Sequence, residues 1–187
     1  MSCVAHMPSP VGDLLLGATG EGVTCCYING QQGYWELAEA GCPERPELPA
    51  LRCALAWLER YFAGERPDAS ALPLAPQGTP FQHEVWRLIR DIPYGRTSSY
   101  GELADLVVLG RGGGRMAAQA VGAAVGKNPL SIFVPCHRVL AAGGKVGGYG
   151  GGLDKKLWLL AHEGVDTSEM VFPEEGRFAH GFDARAR

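Results

Sequence analysis

The stretch from Ile132 to Leu140 (Ile-Phe-Val-Pro-Cys-His-Arg-Val-Leu) constrains this chain most. A short β-branched and aromatic run stands between the turn-forming Gly126-Lys127-Asn128-Pro129 and a glycine-rich segment. The pattern predicts a buried strand that ends in a Pro-Cys turn. Such a run needs apolar cover on both faces, so the rest of the chain has to be built around it. Cysteine is reactive as its thiolate, and the neighbouring His137 and Arg138 are the groups expected to lower a thiol pKa. A free cysteine is also commonly a small core hydrophobe. From this stretch alone, both readings of Cys136 stand.

The cover comes from segments that read as separate units. Val11 to Leu16 and Gly22 to Ile28 are apolar runs bounded by glycines, which predicts a hairpin turning at Ala18 to Glu21. Cys25 and Cys26 then face opposite sides of one strand. From Leu51 to Phe62, Leu51, Leu55, Leu58 and Phe62 recur at helical spacing, and Gly64 stops the helix. Pro73 to Pro80 has linker composition, which divides the chain into a small acidic α/β domain at residues 1–77 and a second domain at residues 78–168, with a polar tail at residues 169–187. The first domain carries 4 Lys+Arg against 9 Asp+Glu, the second 10 against 7. Only the second has a cationic bias, mild but compatible with a polyanionic partner.

The second domain reads as helical. Thr79-Pro80 is a start signal for a helix whose stripe is Phe81, Val85, Leu88 and Ile89. Ile92-Pro93-Tyr94-Gly95 ends it. Ser99 and Glu102 form a capping-box pattern for a helix from Tyr100 to Leu109. After a glycine break, Met116 to Val125 predicts a third helix of small residues. Helix, turn and small-residue helix is the plan of a helix-turn-helix. The alanines allow close approach either to a nucleic acid or to a neighbouring helix. Seven glycines between Gly143 and Gly152 form a loop with free backbone N–H groups, but neither phosphate-cradle pattern is present. Asp154 is the predicted cap of a last helix, Lys155 to Glu163, with Leu157, Leu160 and Ala161 on one face. No apolar run reaches the ~20 residues of a membrane helix. Residues 1–7 lack a basic-then-apolar leader, and the six cysteines show no CxxC pair, so a cytoplasmic protein with reduced thiols is expected. Cys3 and His6 lack a second ligand pair, so no metal is expected.

Pro135-Cys136-His137-Arg138-Val139 resembles the active-site signature of the O6-alkylguanine-DNA alkyltransferase family, the methylated-DNA–protein-cysteine methyltransferases. Ile92-Pro93-Tyr94-Gly95, Ser99-Tyr100, Ala120-Val121-Gly122, Gly126-Lys127-Asn128-Pro129, Val146-Gly147-Gly148-Tyr149, Gly151-Gly152-Leu153 and Leu159 to Gly164 resemble further parts of it, in order. The similarity spans about Phe81 to Gly164. It is weaker at Ser9-Pro10-Val11-Gly12 and the Leu51 to Phe62 helix.

The resemblance implies an RNase H-like α/β domain followed by a mainly helical winged helix-turn-helix domain. It implies stoichiometric, irreversible transfer of an alkyl group from O6-alkylguanine, less efficiently from O4-alkylthymine, to Cys136. No cofactor is implied, and the partner is double-stranded DNA bearing alkylated bases, met by a monomer. His137 would deprotonate the thiol through a water, Glu163 would orient the imidazole, and Tyr100 would hydrogen-bond the departing base. Backbone groups at Val139 and Gly150 would read a flipped base, Tyr149 would wall the pocket, and Asn128 would brace the turn. Ser131 stands where a proline often lines the alkyl pocket. Ala117, Ala118, Gln119, Arg115 and Arg138 would contact DNA. Gln119 replaces the family's usual arginine, and Leu109 to Arg115 is a longer, glycine-rich connection, so weaker or less selective DNA binding is expected, with Arg111 or Arg115 as possible replacement charges. The zinc ligands of some members do not align, since Thr19 and Thr24 fall there. The competing reading is a module that binds alkylated bases, or a regulator that senses alkylation at Cys136. A Cys–His hydrolase has no sequence feature in its favour.

Overall fold

A computed structural model describes residues 2–168 and Met170. The expected polar tail otherwise lies outside the described residues. The first unit is a three-stranded antiparallel sheet in the order β1 (Cys3–Met7), β2 (Leu14–Thr19), β3 (Gly22–Ile28). The β2–β3 hairpin is as expected but starts later: Val11 is buried in the turn before β2 rather than in the strand. β1 was not anticipated, nor was the short helix α1 (Tyr34–Glu39).

The run Leu14-Leu15-Leu16 is continuous because both faces of the sheet are covered. Leu14 and Leu16 join the main core under α2 (Pro49–Phe62), while Leu15 packs with Val4 and Tyr34 on the other face. α2 buries Leu51, Ala54, Leu58 and Tyr61. Its inward stripe therefore ends on Tyr61, not on Phe62 as the spacing of aliphatic residues suggested.

In the second unit the predicted Ser99 capping box and Thr79 cap both form, and the Thr79 cap also closes into a full box with Gln82. Thr79 and Gln82 cap α3 (Pro80–Arg90), and Ser99 and Glu102 cap α4 (Tyr100–Gly110). α5 (Ala118–Gly126) starts two residues later than predicted. Val121, Ala124 and Val125 face α3 and α4, and the Trp86 indole N–H donates to the Ala124 carbonyl at 2.9 Å. Ala118, Gln119, Ala120 and Ala123 remain on the exposed face. The small residues thus serve both packing and an open outer surface.

The predicted cysteine strand is not a strand. Residues 131–133 form a buried turn, and Ile132 adopts φ 73°. Left-handed backbone at a β-branched residue costs about 1–2 kcal/mol. Full burial of an isoleucine side chain contributes about 1.5–3 kcal/mol, and Ile132 is 2% exposed, so burial can offset the strain. The turn is tied to β3: Cys26 N donates to the Pro129 carbonyl at 2.8 Å and Ser131 N to the Cys26 carbonyl at 3.0 Å. Cys136–Arg138 is one 3-10 turn, followed by β5 (Val139–Leu140). β5 pairs in parallel with β4 (Ser98–Ser99), which fixes the cap of α4 beside the cysteine turn.

The last helix, α6, is Leu153–His162. Asp154 lies inside its first turn and makes no cap bond, because Gly152 occupies the N-cap. Its buried face is Leu153, Lys156, Leu159 and Leu160. Ala161 is exposed, so the predicted face was rotated. Among the described residues no helix is long and apolar enough to cross a membrane.

Candidate active site

The cysteine turn and the end of α6 converge on one buried carboxylate. Glu163 follows the last turn of α6 as its C-cap residue and is 3% exposed. An acid there opposes the helix dipole and needs specific partners. It has five. Oε1 accepts from His137 Nε2 and Tyr61 Oη, each at 2.8 Å, and from Arg138 Nη2 at 2.9 Å. Oε2 accepts from Arg138 Nε at 2.8 Å and from Gly95 N at 3.2 Å. Gly95 has φ 71°, and a Cβ there would lie 2.7 Å from the Glu163 carbonyl oxygen, so the contact requires glycine. Burial alone would raise the Glu163 carboxyl, but hydrogen bonds from His137 and Arg138 hold it well below the usual range.

A carboxylate only accepts, so the His137 ring proton sits on Nε2. Among the described residues Nδ1 is buried with no partner. Burial lowers the His137 pKa despite Glu163, leaving a neutral imidazole with Nδ1 free to take a proton. Cys136 is 9% exposed, and Asn128 Nδ2 lies 3.2 Å from its sulfur. The same amide donates to the Val134 carbonyl at 2.8 Å, and Asn128 Oδ1 accepts from Leu130 N at 3.0 Å. Asn128 therefore braces the turn and the sulfur together.

The adjacent His and Arg do not lower the thiol pKa as expected. Burial pushes it up and outweighs the opposing effects of Asn128, the Lys156 charge and nearby backbone N–H groups. The resting sulfur is a protonated thiol. Lys156 is fully buried on α6, where Nζ donates to the Val139 carbonyl at 2.6 Å and the Gly147 carbonyl at 3.3 Å. Burial brings its pKa down to about 8, with the neighbouring Cys136 opposing.

Tyr100, first residue of α4, is half-buried between α5 and the glycine loop. A Cβ on Gly147 would lie 2.9 Å from the Tyr100 hydroxyl, so the loop approaches it only as glycine. Burial raises the Tyr100 phenol, with Cys136 adding to it, and keeps it a donor. Tyr149 and Val139 are buried beside this space, and Gly150 is exposed at its edge.

Ser131 is fully buried, and its hydroxyl donates to Gln31 Oε1 at 2.9 Å. That oxygen also accepts from Ile28 N at 2.6 Å, which turns the Gln31 NH₂ toward Gly150. Of the expected DNA contacts, Ala117, Ala118, Gln119 and Arg115 are exposed. Arg138 is placed differently: both faces of its fork are on Glu163 and Nη1 donates to the Ile92 carbonyl at 2.6 Å. Arg111 is likewise engaged, pairing with Glu84 at 2.6 Å. Tyr61, Gln31 and Lys156 were not anticipated. The only signal for Lys156 was a cation at a helix position otherwise on the apolar stripe.

A family profile described as 6-O-methylguanine DNA methyltransferase, DNA binding domain, matches residues 80–165. A methylated-DNA–protein-cysteine methyltransferase of Haemophilus influenzae is 40% identical over 160 residues, covering 86% of this chain and 85% of its own. One of Methanosarcina acetivorans is 43% identical, covering 86% and 97%. The chain belongs to the methylated-DNA–protein-cysteine methyltransferase family. Among solved structures, the O6-methylguanine methyltransferase of Mycobacterium tuberculosis superposes with a TM-score of 0.74 at 40% identity, covering 87% of this chain and 93% of that one. A Mycobacterium tuberculosis structure in complex with DNA has the same TM-score and identity.

For this methyltransferase the thiol chemistry gives a direct prediction. In the absence of DNA, iodoacetamide should modify the exposed Cys53 before Cys136 at neutral pH. Asn128 stabilises the thiolate, so Asn128→Ala should raise the thiol pKa further. The midpoint of the Cys136 pH–alkylation curve should move up. A Cys136 midpoint that stays or falls contradicts this assignment.

Proposed function

We propose that Cys136 is the alkyl acceptor and that His137, backed by Glu163, is the base that activates it. The protein is a DNA repair methyltransferase that transfers the methyl group of O6-methylguanine to a cysteine. The observation that carries the residue assignment is the buried His137 between its neighbour Cys136 and Glu163, with Nε2–H committed to the carboxylate and Nδ1 free.

In this reading the target nucleotide leaves the duplex stack, since its reacting atom is otherwise out of reach. His137 Nδ1 takes the thiol proton through a water. The sulfur attacks the methyl carbon, the C–O bond breaks, and its electron pair returns to the guanine. Tyr100 donates to the base as it departs. The product is a thioether at Cys136, which cannot ionise, so one molecule acts once. O4-alkylthymine is a poorer substrate of the same chemistry.

The partner is double-stranded DNA carrying the lesion. The exposed small-residue face of α5, with Ala117, Ala118 and Gln119, lets the protein backbone come close to the duplex, and Arg115 supplies charge nearby. Arg138 acts behind the site, on Glu163. Tyr149, Val139 and Gly150 bound the base, and Ser131 lies under the alkyl group. Residues 1–77 back the site and residues 78–168 carry the sulfur and the DNA face.

The deciding experiment uses duplex DNA with radiolabelled O6-methylguanine. Label should appear on the peptide containing Cys136 and be lost in Cys136→Ala. Tight binding without transfer would instead favour an alkylated-base-binding module. Gln119 lacks a cation, so Gln119→Arg should tighten DNA binding and steepen its dependence on salt by about one counterion. An unchanged salt slope would contradict a role for residue 119 at the DNA surface.

A further inference from the structure

We propose that Tyr61 is a positioning residue for alkyl transfer, its hydroxyl reaching from the sheet-and-helix unit to hold the Glu163 oxygen that orients His137. The inference rests on the relay proposed above. Tyr61 lies in the last turn of α2 and is 1% exposed. Its ring is accounted for by packing: it stacks on Trp57 at 5.4 Å and meets Tyr94 edge-on at 6.2 Å. A phenylalanine would fill the same space. Packing does not account for the hydroxyl. Its one hydrogen bond is to Glu163 Oε1, 102 residues away, on the oxygen that also accepts from His137 Nε2.

Burial, and then Glu163 itself, push the Tyr61 phenol far above its ordinary value, so it stays a donor throughout the working pH range. Two consequences follow. The carboxylate is held in the rotation that presents Oε1 to the imidazole. Tyr61 also shares that oxygen with His137, which weakens the carboxylate's stabilisation of an imidazolium and keeps His137 a neutral base at rest. The other charged or titratable groups facing this pair are Arg138 from the 3-10 turn, Tyr94 from the α3–β4 loop, His162 from α6, whose ring lies 5.2 Å from that of Tyr61, and Cys136, Tyr149 and Lys156 on the sulfur side. None comes from the sheet-and-helix unit, so Tyr61 is that unit's direct contact with the relay.

The test is single-turnover methyl transfer from O6-methylguanine duplex to Tyr61→Phe, measured across pH. The expected result is a rate lower by about tenfold at neutral pH, the loss expected for one hydrogen bond to a charged group, with DNA affinity unchanged. The acid limb should move to higher pH, because Glu163 without the competing donor stabilises the His137 imidazolium more. A variant that melts lower but keeps the wild-type rate and acid limb would show a purely structural role and overturn the proposal. Should Tyr61→Phe fail to fold, 3-fluorotyrosine placed at position 61 serves instead. Its more acidic hydroxyl donates more strongly and should move the acid limb to lower pH; an unmoved limb overturns the proposal. Glu163→Gln separates the two levels. If it transfers normally, the relay itself fails. If it is impaired while Tyr61→Phe is normal in rate and limb, only the role of Tyr61 fails.

Discussion

The Glu163 carboxylate is the interaction on which the rest of the site depends. A buried anion loses several kcal/mol of hydration, and only close, well-directed donors offset that loss. Here the donors come from α2 through Tyr61, from the turn after α3 through Gly95, and from the cysteine turn through His137 and Arg138. Satisfying one carboxylate therefore requires three distant segments to arrive together. Deleting it would strand Arg138 and His137 without their acceptor, a loss of about 3–5 kcal/mol for a broken buried pair. The stability of the fold and the alignment of the base are consequences of the same contact.

The second constraint is the protonated thiol. Burial favours the protonated thiol at Cys136, while Asn128 and Lys156 supply the positive potential that a thiolate needs. In the proposed mechanism the reactive form arises once His137 accepts the proton. A permanently ionised sulfur would be open to oxidation and to any passing alkylating agent. For a protein that reacts once, such loss could not be made good by turnover.

What could be read in the sequence was local chemistry. Thr79, Ser99 and Gly64 mark helix ends because caps and stops act over three or four residues, and all three ends are observed. The grouping of Cys136, His137 and Glu163 was legible through the resemblance to a family, and the structure brings the three together; the awkward placement of an acid at a helix C-terminus already called for a partner. What could not be read was set by tertiary contact. Ile132-Phe133-Val134 has strand composition, but the link from Ser131 to Cys26 turns it sharply at Ile132. β1 contains Cys, His and Met and shows no clean alternation, so its pairing with β2 was invisible until the sheet was assembled. Arg138 stands beside Cys136 in sequence, yet its fork serves Glu163, because a bidentate carboxylate outcompetes a neutral thiol. Tyr61 and Gln31 act on groups a hundred residues away along the chain, and nothing in their neighbours betrays it.

The central claim is that burial keeps His137 neutral while Glu163 holds its ring proton on Nε2, beside a protonated thiol. The most direct measurement is the ¹⁵N NMR spectrum of the His137 imidazole in the DNA-free protein, followed from mildly acid to mildly alkaline pH. The account predicts one neutral ring with the proton on Nε2, titrating only below the ordinary histidine range. A ring that is doubly protonated at neutral pH, or that carries its proton on Nδ1, would contradict it.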